Sequence, residues 1–173
     1  MSTQGSSMER HFYKVNIKGK GKLKLSTKAG INKVDMSKDF KYYINFHSSA
    51  TSPNEVSLVV NKGNKLIKVI KDNAKLKETI DAYGWSPKIL FEVEAADRKL
   101  LNAFMIQPAN FDSTKQYPVM IYVYGGPHAQ LVTNSWMYGA SLWMHWMANQ
   151  GYIVFTLDNR GSGERGFAFE SQI

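Results

Sequence analysis

The sequence contains no cysteine, and this absence excludes several kinds of site. A chain without thiols forms no disulfide framework, offers no thiol nucleophile and builds no cysteinyl zinc or iron–sulfur site. Long apolar runs are also absent, because the longest stretches, Val119–Val123 and Tyr152–Leu157, fall far below the roughly 20 residues that span a bilayer. The N-terminal residues lack the basic and then apolar segments of a secretory signal. We therefore expect no membrane partner for this stretch.

Acidic residues are scarce in the first half of the chain. The 173 residues hold 22 Lys and Arg against 14 Asp and Glu, a formal net charge of +8. Residues 1–80 hold 16 basic and 6 acidic residues, a net charge of +10, whereas residues 81–173 hold 6 and 8, a net charge of −2. This asymmetry indicates that two segments of different character are joined.

Apolar residues are plentiful enough to build a core. Hydrophobic residues make up 43% of the chain and aromatic residues 13%, which indicates a globular protein rather than a disordered one. The length predicts one domain or two partial ones.

The first 72 residues predict a run of short antiparallel strands. Apolar residues alternate with polar ones in several short stretches, and Asn61–Asn64 is typical of a turn between two strands. Four or five strands in about 60 residues match the size of one β-propeller blade. A lone blade cannot bury both faces of its sheet, so we expect the chain to form homo-oligomers.

The second half predicts a different architecture. Residues 73–86 predict a linker helix, with Asn73 as its cap and Gly84 as its end. The unbroken apolar run Tyr117–Tyr124 is typical of a strand buried on both faces, and Tyr152–Leu157 predicts a second such strand.

Between these two strands the spacing of apolar residues predicts a crossover helix. Trp136, Ala140, Trp143 and Met147 recur at helical spacing, with Ser135 as a candidate N-cap. Residues 117–158 thus predict a βαβ unit. The predicted fold class is mixed, an antiparallel blade followed by the incomplete N-terminal part of an α/β sheet over residues 87–173. Because such a sheet needs several more strands, we expect this chain to be a piece of a larger protein.

The stretch Gly161–Gly166 has two interpretations. It is a formal G-x-G-x-x-G pattern after a strand, which is typical of dinucleotide-binding folds. However, Asp158, Asn159 and Arg160 separate the strand from the first glycine, and no ribose-binding carboxylate follows about 20 residues later. The alternative is a tight turn whose glycines adopt positive φ and whose Arg160 pairs with a carboxylate. We favour the turn and expect no cofactor.

The stretch Tyr122–His128 is a candidate oxyanion-binding loop. It ends a predicted buried strand and contains Gly125, Gly126 and Pro127, and paired glycines allow backbone to approach a reacting carbonyl. The phenol of Tyr124 can donate a hydrogen bond to developing negative charge without titrating near neutral pH. A buried tyrosine beside a Gly-Gly-Pro turn remains the alternative from the residue pattern alone.

The chain contains no recognisable nucleophile for such an oxyanion-binding loop to serve. A nucleophile elbow requires G-x-S-x-G, and neither Ser141 nor Ser162 has both flanking glycines. The four histidines show no metal-ligand spacing, so we expect no metal site, and His128 is expected to make a loop contact.

The basic first half also has two interpretations. Lys18, Lys20, Lys22 and Lys24 recur at period two, which places them on one side of a strand or hairpin. They fit a phosphate-binding face or, more commonly, a solvated face that discourages edge-to-edge pairing. Tyr42, Tyr43 and Phe46 fit a stacking platform for single strands or a set of core aromatics.

Five segments, taken in order, resemble the dipeptidyl peptidase IV branch of the prolyl oligopeptidase family of serine peptidases. They are His11–Tyr13, Ser37–Tyr43, Tyr117–Pro118, the loop Tyr124–Pro127 and the D-x-R-G-S-G-like segment Asp158–Gly163. The resemblance implies a β-propeller followed by an α/β-hydrolase domain. Residues 1–72 would be the last blade, 73–86 the linker helix and 87–173 the start of the catalytic domain.

The resemblance also implies an activity. Family members release N-terminal X-Pro or X-Ala dipeptides from a peptide substrate through Ser-His-Asp acyl-enzyme chemistry. Tyr124 matches the family's oxyanion-hole donor, supported by Gly125, Gly126 and Pro127. The residues Asp158, Arg160, Gly161, Ser162 and Gly163 would form a structural turn, and the compartment implied is periplasmic or extracellular.

The triad serine, aspartate and histidine match nothing in this sequence, so the chain alone is predicted to be inactive. The alternative function is a non-catalytic basic β-sheet module that binds an acidic partner or single-stranded nucleic acid. We favour the peptidase and expect no nucleic-acid partner.

Overall fold

The computed structural model describes residues 1–173, which divide into two compact units. Unit 1 comprises Met1–Lys77 and Asn134–Trp136, and unit 2 comprises Glu78–Thr133 and Met137–Ile173. The elements of the first part of the chain are β1 (Tyr13–Lys14), β2 (Leu23–Lys24), β3 (Ile31–Met36), β4 (Tyr42–Ser49), β5 (Ser52–Val60), β6 (Lys65–Lys71) and α1 (Ala74–Ala82). The remaining elements are β7 (Ile89–Glu94), β8 (Leu100–Ile106), β9 (Val119–Tyr122), α2 (Leu142–Asn149), β10 (Ile153–Leu157) and α3 (Phe167–Glu170).

Unit 1 is an antiparallel meander, as predicted. Strands β3, β4, β5 and β6 pair in sequence order, each antiparallel to the next. The Asn61–Asn64 turn joins β5 to β6, with Gly63 and Asn64 at positive φ, and two irregularities shift the register of that pair. Strands β1 and β2 form a separate two-stranded ribbon.

The segment Asn134–Trp136 is held within unit 1 by the side chain of Asn134. Its amide nitrogen donates to Glu9 at 2.8 Å, and its oxygen accepts the backbone N–H of Ala50 at 2.9 Å. Its own backbone N–H donates to the Met8 carbonyl at 2.8 Å. A polar side chain that is satisfied on both sides fixes this segment more specifically than apolar contact alone would.

The four lysines at period two do not share a strand. Lys18, Lys20 and Lys22 lie in the loop of the β1–β2 hairpin, and only Lys24 lies in a strand. The oxygen of the Asn16 side chain accepts the backbone N–H groups of Lys18 and Lys20, and such a turn competes with strand pairing. The predicted placement on a hairpin is therefore confirmed, whereas the four lysines do not line one strand.

Helix α1 lies where the sequence predicts a helix, but its cap differs. The side chain of Asp72 accepts the backbone N–H of Ala74 at 3.1 Å, whereas the Asn73 amide donates to the Asn54 carbonyl. Gly84, at φ +67°, follows the helix end, as a left-handed C-terminal glycine does.

Unit 2 contains a mixed four-stranded sheet in the order β7-β8-β10-β9. Strands β7, β8 and β10 pair antiparallel, and β9 and β10 pair parallel from Ile153 opposite Val119 to Thr156 opposite Tyr122. The predicted βαβ unit is thus present, with α2 as its crossover. The core of the sheet lies on β8 and β10, where Ala103, Phe104, Ile106 and Val154 are fully buried.

Strand β9 is not buried on both faces, contrary to the sequence prediction. Val119 is 57% exposed and Ile121 63% exposed. The reason is position, because β9 forms the edge of the sheet in this chain. An unbroken apolar run does not reveal whether a strand lies at the centre or at the edge.

The crossover helix begins later than predicted. Ser141, not Ser135, precedes its first turn, and residues 134–140 are irregular. Met137 and Gly139 both adopt positive φ, which is incompatible with a right-handed helix.

The chain contains no helix of the length and apolarity needed to cross a membrane.

Candidate functional site

The candidate oxyanion loop begins directly after the edge strand β9. Tyr124 is 61% exposed, and its hydroxyl makes no hydrogen bond within the chain. A Cβ added at Gly126 would lie 2.6 Å from the Tyr124 ring, so only glycine lets the ring lie over this peptide. Gly125 adopts φ +72°, which a residue with a side chain rarely tolerates. The structure therefore exposes the phenol instead of burying it.

The C-terminal end of this loop is hydrogen-bonded to the D-x-R-G-S-G segment. The N–H of His128 donates to the Gly161 carbonyl at 2.8 Å, and the N–H of Gly163 donates to the Ala129 carbonyl at 3.3 Å. A Cβ at Gly163 would lie 2.8 Å from the His128 carbonyl oxygen. This close approach is the physical reason for a glycine at position 163.

Asp158 contributes two side-chain hydrogen bonds to this arrangement. Its carboxylate accepts the backbone N–H of Leu131 at 2.8 Å and that of Val132 at 3.1 Å, one on each oxygen. Its own N–H donates to the Asn102 carbonyl on the neighbouring strand at 2.9 Å. Burial raises the pKa of the Asp158 carboxyl, and the two backbone hydrogen bonds oppose that rise. Asp158 directly follows β10, so its hydrogen bonds to Leu131 and Val132 hold the C-terminal end of the loop against the sheet.

The remaining residues of the segment form a turn. The N–H of Ser162 donates to the Asn159 carbonyl, and Gly161 adopts φ +81°. The guanidinium of Arg160 lies 2.8 Å from Asp97, the ion pair expected of the turn interpretation. Ser162 is only 1% exposed, so its hydroxyl cannot meet a substrate.

His128 lies in the loop at φ +60°, exposed, with its Nδ1 3.5 Å from the Glu170 carboxylate. This is the loop contact expected from the sequence.

A buried polar cluster beside the sheet has no counterpart in the sequence predictions. The ammonium of Lys88, 4% exposed, donates to the Thr133 carbonyl at 3.1 Å and the Tyr138 carbonyl at 2.7 Å. The His145 ring stacks on Trp85 with centroids 3.5 Å apart. A lone lysine before a strand gives no signal of burial, and only long-range pairing brings it to these carbonyls.

Both titratable groups of this cluster are shifted by burial. Burial lowers the pKa of Lys88 to about 8. Burial and, to a lesser extent, the nearby Lys88 charge lower the pKa of His145 to about 4, although the hydrogen bond to Ser86 opposes this shift. His145 is therefore neutral at physiological pH. Because its Nδ1 lies 2.9 Å from the Ser86 carbonyl, which only accepts, Nδ1 carries the proton.

The lowered pKa of Lys88 predicts a pH dependence of stability. Between about pH 8 and pH 10.5 the unfolded chain keeps a proton on Lys88 that the folded chain has released. The free energy of unfolding should therefore rise with pH over this window, relative to a Lys88→Met variant. Urea unfolding of both proteins at pH 7.5 and pH 9.5 measures this. An equal difference between them at the two pH values would contradict the assignment.

The sequence and the structure resemble those of dipeptidyl peptidases. Residues 1–54 match the family model described as the dipeptidyl peptidase IV (DPP IV) N-terminal region. The chain is 32% identical to a probable dipeptidyl peptidase 4 of Aspergillus flavus, covering 100% of this chain and 23% of that protein. It is 28% identical to dipeptidyl peptidase 8 of Homo sapiens, covering 97% of this chain and 19% of the relative.

Two solved structures match the fold. The crystal structure of Porphyromonas gingivalis dipeptidyl peptidase 4 aligns with a TM-score of 0.88 and 35% identity, over 97% of this chain and 23% of that one. A putative dipeptidyl aminopeptidase IV from Bacteroides ovatus aligns with a TM-score of 0.79 and 35% identity, over 92% and 23%. The chain thus spans about a quarter or less of the length of these relatives. On these matches the chain belongs to the dipeptidyl peptidase IV family.

Proposed function

We propose that this chain is part of a serine exopeptidase that releases N-terminal X-Pro or X-Ala dipeptides. Tyr124 donates a hydrogen bond to the oxyanion of the tetrahedral intermediate. The observation that carries the proposal is the exposed Tyr124 hydroxyl, free of any partner, on a glycine-containing loop whose C-terminal end is hydrogen-bonded to the Asp158–Gly163 segment. An oxyanion donor must be held in place before charge develops, since reorganisation during the reaction costs rate.

The domain organisation is part of the same proposal. Residues 1–72 form the last propeller blade, residues 73–86 the linker, and residues 87–173 the first part of an α/β-hydrolase domain. Support comes from the antiparallel meander in unit 1 and the parallel β9–α2–β10 crossover in unit 2. An oxyanion loop directly after such a strand fits the hydrolase architecture.

The chemistry divides between this chain and the rest of the enzyme. A serine attacks the scissile carbonyl, a histidine accepts its proton, and an aspartate orients the histidine. We assign none of these three to residues 1–173. Tyr124 stabilises the negative charge on the former carbonyl oxygen, in acylation and again in deacylation.

The chain by itself should therefore be inactive. We expect no release of p-nitroaniline from Gly-Pro-p-nitroanilide above the rate in buffer, because the nucleophile is missing. We also expect no labelling by a fluorophosphonate probe, measured by intact-mass spectrometry.

The matched control is the longer enzyme that we propose, assayed in the same buffer and with the same probe. It should show turnover and a single labelled serine. Stoichiometric labelling of any serine in residues 1–173 would contradict the division of the active site.

A further inference from the structure

Unit 1 contains an open cavity of about 640 Å³ at one end of its sheet. The β1–β2 hairpin, the turn between β3 and β4, and the Asn61–Asn64 turn contribute its walls. Its apolar lining includes Leu23, Leu25 and Val60 together with the aromatic residues Phe40 and Tyr42. A volume of this size accommodates a small organic molecule.

The charge around the cavity has one sign. Lys14, Lys41 and Lys62 line it, and no carboxylate does. Lys41 pairs with Asp39 at 3.3 Å, but Lys14 and Lys62 have no carboxylate within ion-pair distance. An apolar cavity with unneutralised ammonium groups favours a ligand that joins an apolar body to an anionic group.

The aromatic wall is exposed and held in an uncommon backbone conformation. Phe40 is 68% exposed and adopts φ +56°, which is rare for a bulky residue. The Asn61 side chain donates to the Phe40 carbonyl at 2.8 Å, and the Phe40 N–H donates to Ser37 at 2.9 Å. These bonds hold the backbone at Phe40, and the exposed ring that lines the cavity offers a stacking surface.

We infer that this cavity binds a small organic anion with an aromatic or aliphatic body, its charge held by Lys14 and Lys62. The apolar body lies against Phe40, Tyr42 and Val60. This site is separate from the proposed peptidase chemistry, because all of its residues belong to unit 1.

The test uses a pair of fluorescent probes of similar shape. 8-Anilinonaphthalene-1-sulfonate carries an aromatic body and one negative charge, and N-phenyl-1-naphthylamine has the same body without the charge. We expect the anionic probe to bind the chain at one site, at least about tenfold more tightly than the neutral probe. Raising NaCl from 0.05 M to 0.5 M should weaken the anionic probe's binding only, because salt screens the lysines.

Two variants with matched controls separate this site from general surface binding. The double variant Lys14→Gln with Lys62→Gln should weaken the anionic probe about tenfold, whereas Lys33→Gln with Lys38→Gln, which removes equal charge elsewhere in unit 1, should not. Phe40→Ala should weaken both probes, and Ile17→Ala, at a fully exposed residue, should weaken neither.

Equal affinity for the two probes would overturn the proposal, since it would indicate apolar adsorption alone. Equal loss in the two lysine pairs would also overturn it, since it would indicate a general charge effect. Circular dichroism spectra and thermal midpoints of all variants exclude unfolding as the cause of any loss. None of these outcomes depends on peptidase activity.

Discussion

Replacing Tyr124 by Phe in the longer enzyme is expected to lower kcat about 10²-fold to 10³-fold. KM should change only modestly. Loss of one oxyanion donor typically has an effect of this size, because the hydrogen bond is stronger to the developing negative charge than to the ground-state carbonyl. An interaction made only in the transition state lowers kcat and kcat/KM together.

The Tyr124→Phe substitution should leave the folded structure unchanged because of where Tyr124 lies. Its hydroxyl has no partner within the chain, so removing it breaks no intramolecular hydrogen bond. The ring remains, and its contact with Gly126 is kept. We therefore expect no change in the thermal midpoint, and a loss of activity then reports on catalysis.

Tyr138→Phe is the matched control. Tyr138 is 58% exposed in the same unit, and its side-chain hydroxyl makes no hydrogen bond. Steady-state kinetics on Gly-Pro-p-nitroanilide should be unchanged by this variant. An unchanged kcat in Tyr124→Phe would refute the assignment of Tyr124 as the oxyanion donor.

Local patterns predicted the strands well, since alternation and turn residues act over a few positions. The Asn61–Asn64 turn and the antiparallel strands on either side of it follow from such patterns. The parallel pairing of β9 with β10 follows from two apolar runs on either side of a helix-length segment. The turn and strand predictions needed only neighbours in the sequence, whereas the β9–β10 pairing needed the order of two separated apolar runs.

The errors lie where distant residues decide the structure. The apolar spacing predicts that helix α2 begins after Ser135, but Asn134 is held by Glu9, 125 positions earlier in the chain. The sequence does not predict that Lys88 and Asp158 are buried hydrogen-bonding groups, because their partners lie 26 to 50 positions away. No periodic pattern encodes such pairs. One signal was available, since an aspartate directly after a buried strand needs a partner of its own.

We expect the largest change in stability when the Asp158 carboxylate is removed. Asp158→Ala should lower the free energy of unfolding by about 2–4 kcal/mol, because it leaves the N–H groups of Leu131 and Val132 without their acceptor. Asp158→Asn should be milder, since its amide oxygen still accepts one of the two. Urea unfolding followed by tryptophan fluorescence measures both.

Asp97→Ala is the control. Asp97 is exposed and forms an ion pair with Arg160 of the same segment, so this variant also removes a carboxylate that contacts the segment. It should change stability little.

The raised pKa of Asp158 adds a second signature. The folded chain binds this proton more tightly than the unfolded chain, so the residue's contribution should decrease as pH rises through its folded pKa. The unfolding free energy of the native chain, relative to that of Asp158→Asn, should therefore decrease as the pH rises above about 4, the ordinary pKa of an aspartate. Equal stability of Asp158→Ala and Asp97→Ala would show that the loop does not depend on this carboxylate.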